Sequence, residues 1–439
     1  MKRWAGLVLL IALQAAAAEA ADPGPWRLGN EPLAFTLDNG LPVVLQRDDA
    51  APITVVQLLV RGGDRDDPPG LSGLAYLTSR LSLEIPDQAK LRQLMDFGSS
   101  FHLSLGGDTT LITVRSLSRH LGPTLGILSA ILREPLFSDL RIDAVKEMMR
   151  HLQKAEEDDP GMLMRKAAAS AFYDRPAYGA ARFGDNQSLA RIGKKEIRSF
   201  FRGHFLAGNM VAVVISDLPA AELRPLLGRQ LGVLDGGNRS PAPALTPSRP
   251  AAAERSIERR SAQTHVSVSV PLPPATFDNL LLAWLMENWL GRGIGSRLWR
   301  LRSRGDLAYG LSAELHPNRE GMIFCVHLQT GNPRAGEARA ELSRLLLEIQ
   351  EHGIGEAELE AAKAYARADF WRENESRERR AAFLAFLEGT GHSHRLAGDF
   401  PRRLAGIGLD EFNAFLREAL EPERWISLQI GPGTSQSDK

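Results

Sequence analysis

Apolar positions recur along the chain with two different periods, and the period changes at turn residues. Residues 34–37 and 41–46 read as strands flanking Asp38-Asn39-Gly40. This is a hairpin signal, because Asn-Gly tolerates the positive φ values of a tight turn. The β-branched run 53–60 is a further strand, ended by Gly62-Gly63. Helical periodicity follows over 71–82 and 88–95, and a strand pair spans 100–116. Helices are expected over 121–133, 142–157 and 162–172, then a short helix over 194–205 and a buried strand over 210–215.

Between 236 and 260 the periodicity dissolves. Pro241, Pro243, Pro247 and Pro250 alternate with Ala, Ser and Arg, a run that no helix or central strand accommodates, so 237–260 reads as a linker. Beyond it the order of elements recurs: a strand over 264–270, a helix over 277–290, a hairpin-like segment over 309–328 and long helices over 335–351 and 356–387. A short helix over 410–420 and a strand over 425–430 mirror residues 194–215. The expected fold class is α+β, with two homologous domains, 21–236 and 261–432, and a polar tail over 433–439. Each domain is a mostly antiparallel sheet packed with helices, the two being related by a pseudo-twofold duplication.

The N-terminus adds a destination. Met1-Lys2-Arg3 is a basic start, an apolar stretch runs to Leu13, and Ala18-Glu19-Ala20 supplies a small-x-small cleavage pattern, so 1–20 reads as a cleaved secretory signal peptide. The apolar core is too short to cross a bilayer, and a bacterial periplasm is the expected location. Lys and Arg total 53, and so do Asp and Glu, leaving no basic excess to neutralise phosphates and arguing against a nucleic-acid partner. Cys325, alone of its kind, excludes an intramolecular disulfide and a thiolate zinc cluster; within the apolar run 322–326 it reads as a buried, inert thiol. His392-Ser393-His394 reads as a solvated loop rather than a chelate.

Several segments together carry a resemblance. They are Asn39-Gly40-Leu41, Val60-Arg61-Gly62-Gly63, the run Gly73 to Leu81, Gly98 with Asp108 and Thr110, Asp158-Asp159-Pro160, Asn209-Met210, Ser296-Arg297-Leu298, Leu301-Arg302 and Leu307-Ala308-Tyr309. In this order they resemble the insulinase/pitrilysin-type (inverzincin) zinc peptidases, over nearly the whole mature chain. The resemblance implies two homologous α+β domains around a peptide-binding chamber, often with paired chains. Active members carry H-x-x-E-H on the helix that begins near Gly73, two histidines holding zinc and the Glu activating water. Here Tyr76, Ser79 and Arg80 stand at the His, Glu and His positions, and the cation of Arg80 opposes a metal. Glu147, Glu156 and Glu157 are candidates for a remnant of the third ligand, without a choice among them.

The resemblance makes Phe101, His102, Leu103, Ser104 and Leu105 the edge strand to which a peptide adds, although His102 and Leu105 replace the usual Asn and Thr. It makes Arg302 and Tyr309 the pair that reaches the scissile region of the substrate; an ordinary helix-end Arg and strand Tyr is the plain alternative. As a non-catalytic member the chain resembles the inactive subunit of bacterial heterodimeric peptidases and of the mitochondrial processing peptidase. The expected function is therefore a non-catalytic subunit of a periplasmic heterodimeric zinc metallopeptidase. It has no metal of its own, its homologous catalytic partner carries zinc, and a peptide is the substrate. The alternative is a peptide-binding or scaffold protein with no role in proteolysis.

Overall fold

The Asn39-Gly40 turn closes as its residue types require. Strands β1 (Leu33–Thr36) and β2 (Pro42–Arg47) pair antiparallel around it, with Gly40 at φ 88° and the Asn39 amide donating to Leu231 O at 2.9 Å. The computed structural model describes residues 30–173, 178, 182–238, 252–303 and 307–432. The expected signal peptide, most of the linker and the polar tail lie outside these residues.

In the first half β3 (Ile53–Arg61), helices α1 (Leu74–Ser82) and α2 (Gln88–Asp96), and strands β4 (Ser100–Leu105) and β5 (Thr109–Leu117) follow. Next come α3 (Leu121–Arg133), α4 (Asp139–Asp158), α5 (Pro160–Phe172), α6 (Asn186–Arg191), α7 (Lys194–His204), β6 (Met210–Ser216) and α8 (Ala220–Leu231). The second half contains β7 (Ala253–Glu258), β8 (Gln263–Leu272), α9 (Phe277–Gly291), α10 (Trp299–Ser303), β9 (Gly310–Asn318) and β10 (Gly321–Gly331). It ends with α11 (Ala335–His352), α12 (Glu356–Glu373), α13 (Arg377–Gly389), α14 (Leu396–Ala405), α15 (Leu409–Ala419) and β11 (Ile426–Gly431).

The first sheet runs β1-β2-β6-β3-β5-β4 and the second β7-β11-β8-β10-β9. From β2 onward the two orders coincide, including their single parallel pairs, β2 with β6 and β7 with β11. The fold is α+β with two antiparallel-dominated sheets, and the shared topology carries the duplication. Strand β7 falls inside the segment 237–260. Its sequence, Ala253 to Glu258, contains no proline and sits at a sheet edge, pairing among the described residues with β11 alone, so the Pro-rich neighbourhood does not prevent it.

Helices cover both faces of the first sheet, which is why β3 and β6 are near-continuous apolar runs rather than alternating ones. Val56, Leu58, Val60 and Val214 pack with α1, α3, α4, α7 and α8. On the other face Val55, Leu59 and Val213 share a core with Leu384 and Ala385 of α13, a helix of the second half. The exchange is reciprocal: Met164, Ala168 and Phe172 of α5 pack on Ile323, Ile426 and Leu428 of the second sheet. The expected single helix over 356–387 is two helices because Ser376 caps α13, its hydroxyl accepting from Arg379 N at 3.2 Å. In the first half Asp159 caps α5 in the same way, with Pro160 in its first turn.

Candidate functional site

Helix α1 starts where a carboxylate satisfies its free N–H groups. Asp67 accepts from Gly73 N and Ala75 N, both at 2.7 Å. Gly73 has φ 91°, and a Cβ there would lie 2.8 Å from Gly184 N, so only glycine fits this entry. Burial pushes the Asp67 carboxyl up to about 8, against the pull of those two donors.

One turn along the helix, Tyr76 and Arg80 face the same way, as i and i+4 must. Both line a groove of about 440 Å³ between α1, α2 and β4, and Ser100, Phe101, His102 and Leu103 form its opposite wall. The Tyr76 ring meets Phe183 edge-on at 4.8 Å. Burial raises the phenol, and the charges of Arg80 and Arg182 pull it back. Ser79 points elsewhere. It is fully buried and shares a hydrogen bond of 3.2 Å with Thr110 Oγ1, which donates to Gly62 O at 2.9 Å.

These residues do not fit a zinc ion. One ligand position holds a guanidinium, and the hydroxyl at the base position is engaged with the sheet. Among the described residues no group of three or more His, Cys, Asp or Glu is arranged to hold a metal. Glu147 is on the surface, paired with Arg150 at 2.5 Å, and Glu157 is exposed. Glu156 is half-buried and lines a different cavity. His394 is buried, its Nδ1 2.7 Å from Glu388 Oε1, while His392 Nε2 lies 2.9 Å from Ala275 O; the expected solvated loop is packed instead.

The second cavity, about 480 Å³, lies between the two halves. Ser104 and Leu105 reach it from the far end of β4, opposite Leu315 and His316 of β9 and Phe386 of α13. Its floor is charged. Burial pushes Asp64 up to about 7, opposed by Arg182 at 3.3 Å. Burial also raises Asp108, which accepts from Tyr178 Oη at 2.6 Å and from Arg319 N at 2.8 Å. Arg65 bridges to Glu320 Oε1 at 2.6 Å. Of this cluster only Asp108 stands among the segments that carry the resemblance; the run Asp64-Arg65-Asp66-Asp67, just after a buried strand and Gly62-Gly63, was a visible signal of the rest.

Arg302 and Tyr309 are both exposed, and neither lines these two cavities. The Arg302 guanidinium lies 4.8 Å over the Trp299 ring, and Tyr309 N donates to Gln329 O at 2.8 Å, fixing the start of β9. Among the described residues no helix is long and apolar enough to cross a membrane.

Known proteins share this fold. An uncharacterized zinc protease of Mycobacterium bovis is 23% identical over 92% of this chain and 94% of its own length. A non-peptidase homolog, YmxG, of Helicobacter pylori is 22% identical over 74% of this chain and 76% of its own. The crystal structure of a peptidase M16 inactive domain from Pseudomonas fluorescens superposes with a TM-score of 0.85 at 20% identity, over 92% of this chain and 98% of that one. The family model for insulinase, peptidase family M16, matches residues 42–184, and that for the peptidase M16 inactive domain matches residues 191–365. With both models in order over nearly three quarters of its length, the chain belongs to the insulinase family, peptidase family M16.

Proposed function

We propose that this chain is the non-catalytic subunit of a heterodimeric zinc peptidase exported to the periplasm. A homologous chain supplies the zinc and the H-x-x-E-H motif. This chain supplies part of the chamber wall, the β4 edge for the peptide, and Arg302 with Tyr309. The observation that carries the reading is the guanidinium of Arg80 on the helix face where a metal ligand is required, beside the free edge of β4. The exposure of Arg302 and Tyr309 supports it further, because both are available to a second chain. Reconstitution tests it: the chain alone should hold no stoichiometric zinc and cleave no peptide, and hydrolysis should appear only on mixing with a motif-bearing homologue. Chelator-sensitive cleavage by the isolated chain, or no complex with such a homologue, would overturn it. The relative named a non-peptidase homolog favours the second reading, a peptide-binding scaffold outside proteolysis; a complex that assembles without gaining activity would select that one.

A further inference from the structure

The groove between α1 and β4 combines three surfaces that a globular chain seldom leaves open together. The first is a strand edge. Strand β4 closes its sheet and, among the described residues, pairs with β5 alone, so alternate residues leave backbone N–H and C=O groups on the outer side. The second is apolar. Leu83, Ile85, Leu91 and Met95 line the groove, and Leu91 and Met95 are 40% and 72% exposed. The third is a charge. Among the described residues, no carboxylate forms an ion pair with Arg80. The acid next along the chain, Glu84, is occupied by Arg141, which donates to its two oxygens at 2.7 and 2.5 Å. His102, on the exposed side of β4, lines the same groove and brings no negative charge.

We propose that this groove receives an extended peptide through a carboxylate, which the Arg80 guanidinium takes up on the helix face where active relatives hold a metal. The inference rests on the proposed function in one respect, that peptide adds along β4. A carboxylate is the group a half-buried, unpaired guanidinium recognises best, because the planar fork gives two parallel charge-assisted hydrogen bonds. The Tyr76 hydroxyl, on the same helix face one turn earlier, is a neutral donor beside it. Strand addition supplies sequence-independent main-chain bonds, and Leu91 with Met95 offers an apolar side chain of the peptide a surface to cover. The peptide selected is therefore extended and apolar, with one carboxylate, from either an acidic side chain or the chain terminus.

Binding of labelled, acetylated peptides of alternating Leu and Thr to the purified chain at low salt tests this. Three peptides are compared: one with a central Glu and an amidated end, one with Gln and a free C-terminus, and one with Gln and an amidated end. At least one of the first two should bind about tenfold or more tightly than the third, and which one identifies the source of the carboxylate. In Arg80→Gln the three affinities should converge on that of the uncharged peptide, whereas Arg80→Lys should keep part of the difference. Equal affinities in the wild-type chain, or a preference that survives in Arg80→Gln, would overturn the inference alone. Failure of all three peptides to bind would overturn it together with the peptide-binding role on which it rests.

Discussion

Arg377, the first residue of α13, donates through Nη2 to Asp48 Oδ1 at 2.8 Å and to Asp48 O at 2.6 Å, tying a helix of the second half to the end of β2 in the first. Its Nη1 also donates to Ala51 O at 2.8 Å, and Arg380 reaches the other oxygen of Asp48. The Arg377 hydrogen bond holds the Asp48 carboxyl well below the usual carboxylate range, against an opposing push from burial.

Asp48→Ala should destabilise the chain by about 2–4 kcal/mol, because two largely buried guanidinium groups lose their counter-charge. The pH dependence has a definite sign. The folded value lies below the unfolded one, so the contribution is complete above about pH 4 and is lost as pH falls toward the folded value. Denaturant midpoints across acid pH should show a shallower acid loss in the variant; an unchanged acid profile would refute the assignment.

Asp64 should behave in the opposite sense. Its folded value of about 7 lies above the unfolded value of about 3.9, so the folded chain keeps a proton that the unfolded chain has released. Stability from this group is complete below about pH 4 and is lost as pH rises toward 7. Asp64→Asn should therefore gain on the wild type as pH rises from about 5 to about 8, read from melting temperatures at each pH. A difference that is constant with pH would count against it.

Ser79→Glu, which restores the family's residue at the base position, should destabilise by about 2–4 kcal/mol. The side chain is fully buried against Thr110, where a longer carboxylate is crowded against the sheet and loses its hydration. Urea unfolding measures this; an unchanged midpoint would show that α1 can move aside.

In the reconstituted complex, Tyr309→Phe and Arg302→Ala should each lower peptide turnover about tenfold or more, as loss of a donor to a developing oxyanion does. Assembly, followed by gel filtration, should be unaffected, since the role given to both side chains is toward the peptide. Full turnover in both variants would leave them as surface residues.

Much of the fold was legible because its signals are local. The Asn39-Gly40 turn, the apolar runs of β3 and β6 and the periodicity of α3 each specify an element without help from distant residues. The break before α13 was missed because 372–380 carries neither proline nor glycine, and the cap rests on Ser376. Strand β7 was missed because its pairing partner, β11, lies far along the chain. The site divided in the same way. That Tyr76 and Arg80 share a face follows from helical spacing, whereas the burial of Ser79 depends on Thr110, and the cavity between the halves depends on contacts such as Asp108 with Arg319.

The exchanged helices set an order of events for the growing chain. Strands β2, β3 and β6 are complete by residue 216, yet the face carrying Val55, Leu59 and Val213 finds its cover in residues 377–389. A nascent chain that has released its first half therefore displays a bare apolar sheet until almost all of the protein has emerged, an invitation to aggregation that a holding chaperone would answer. Truncated products ending before α13 should for the same reason be insoluble rather than partly functional, and the last hundred residues act as a quality check on the first two hundred.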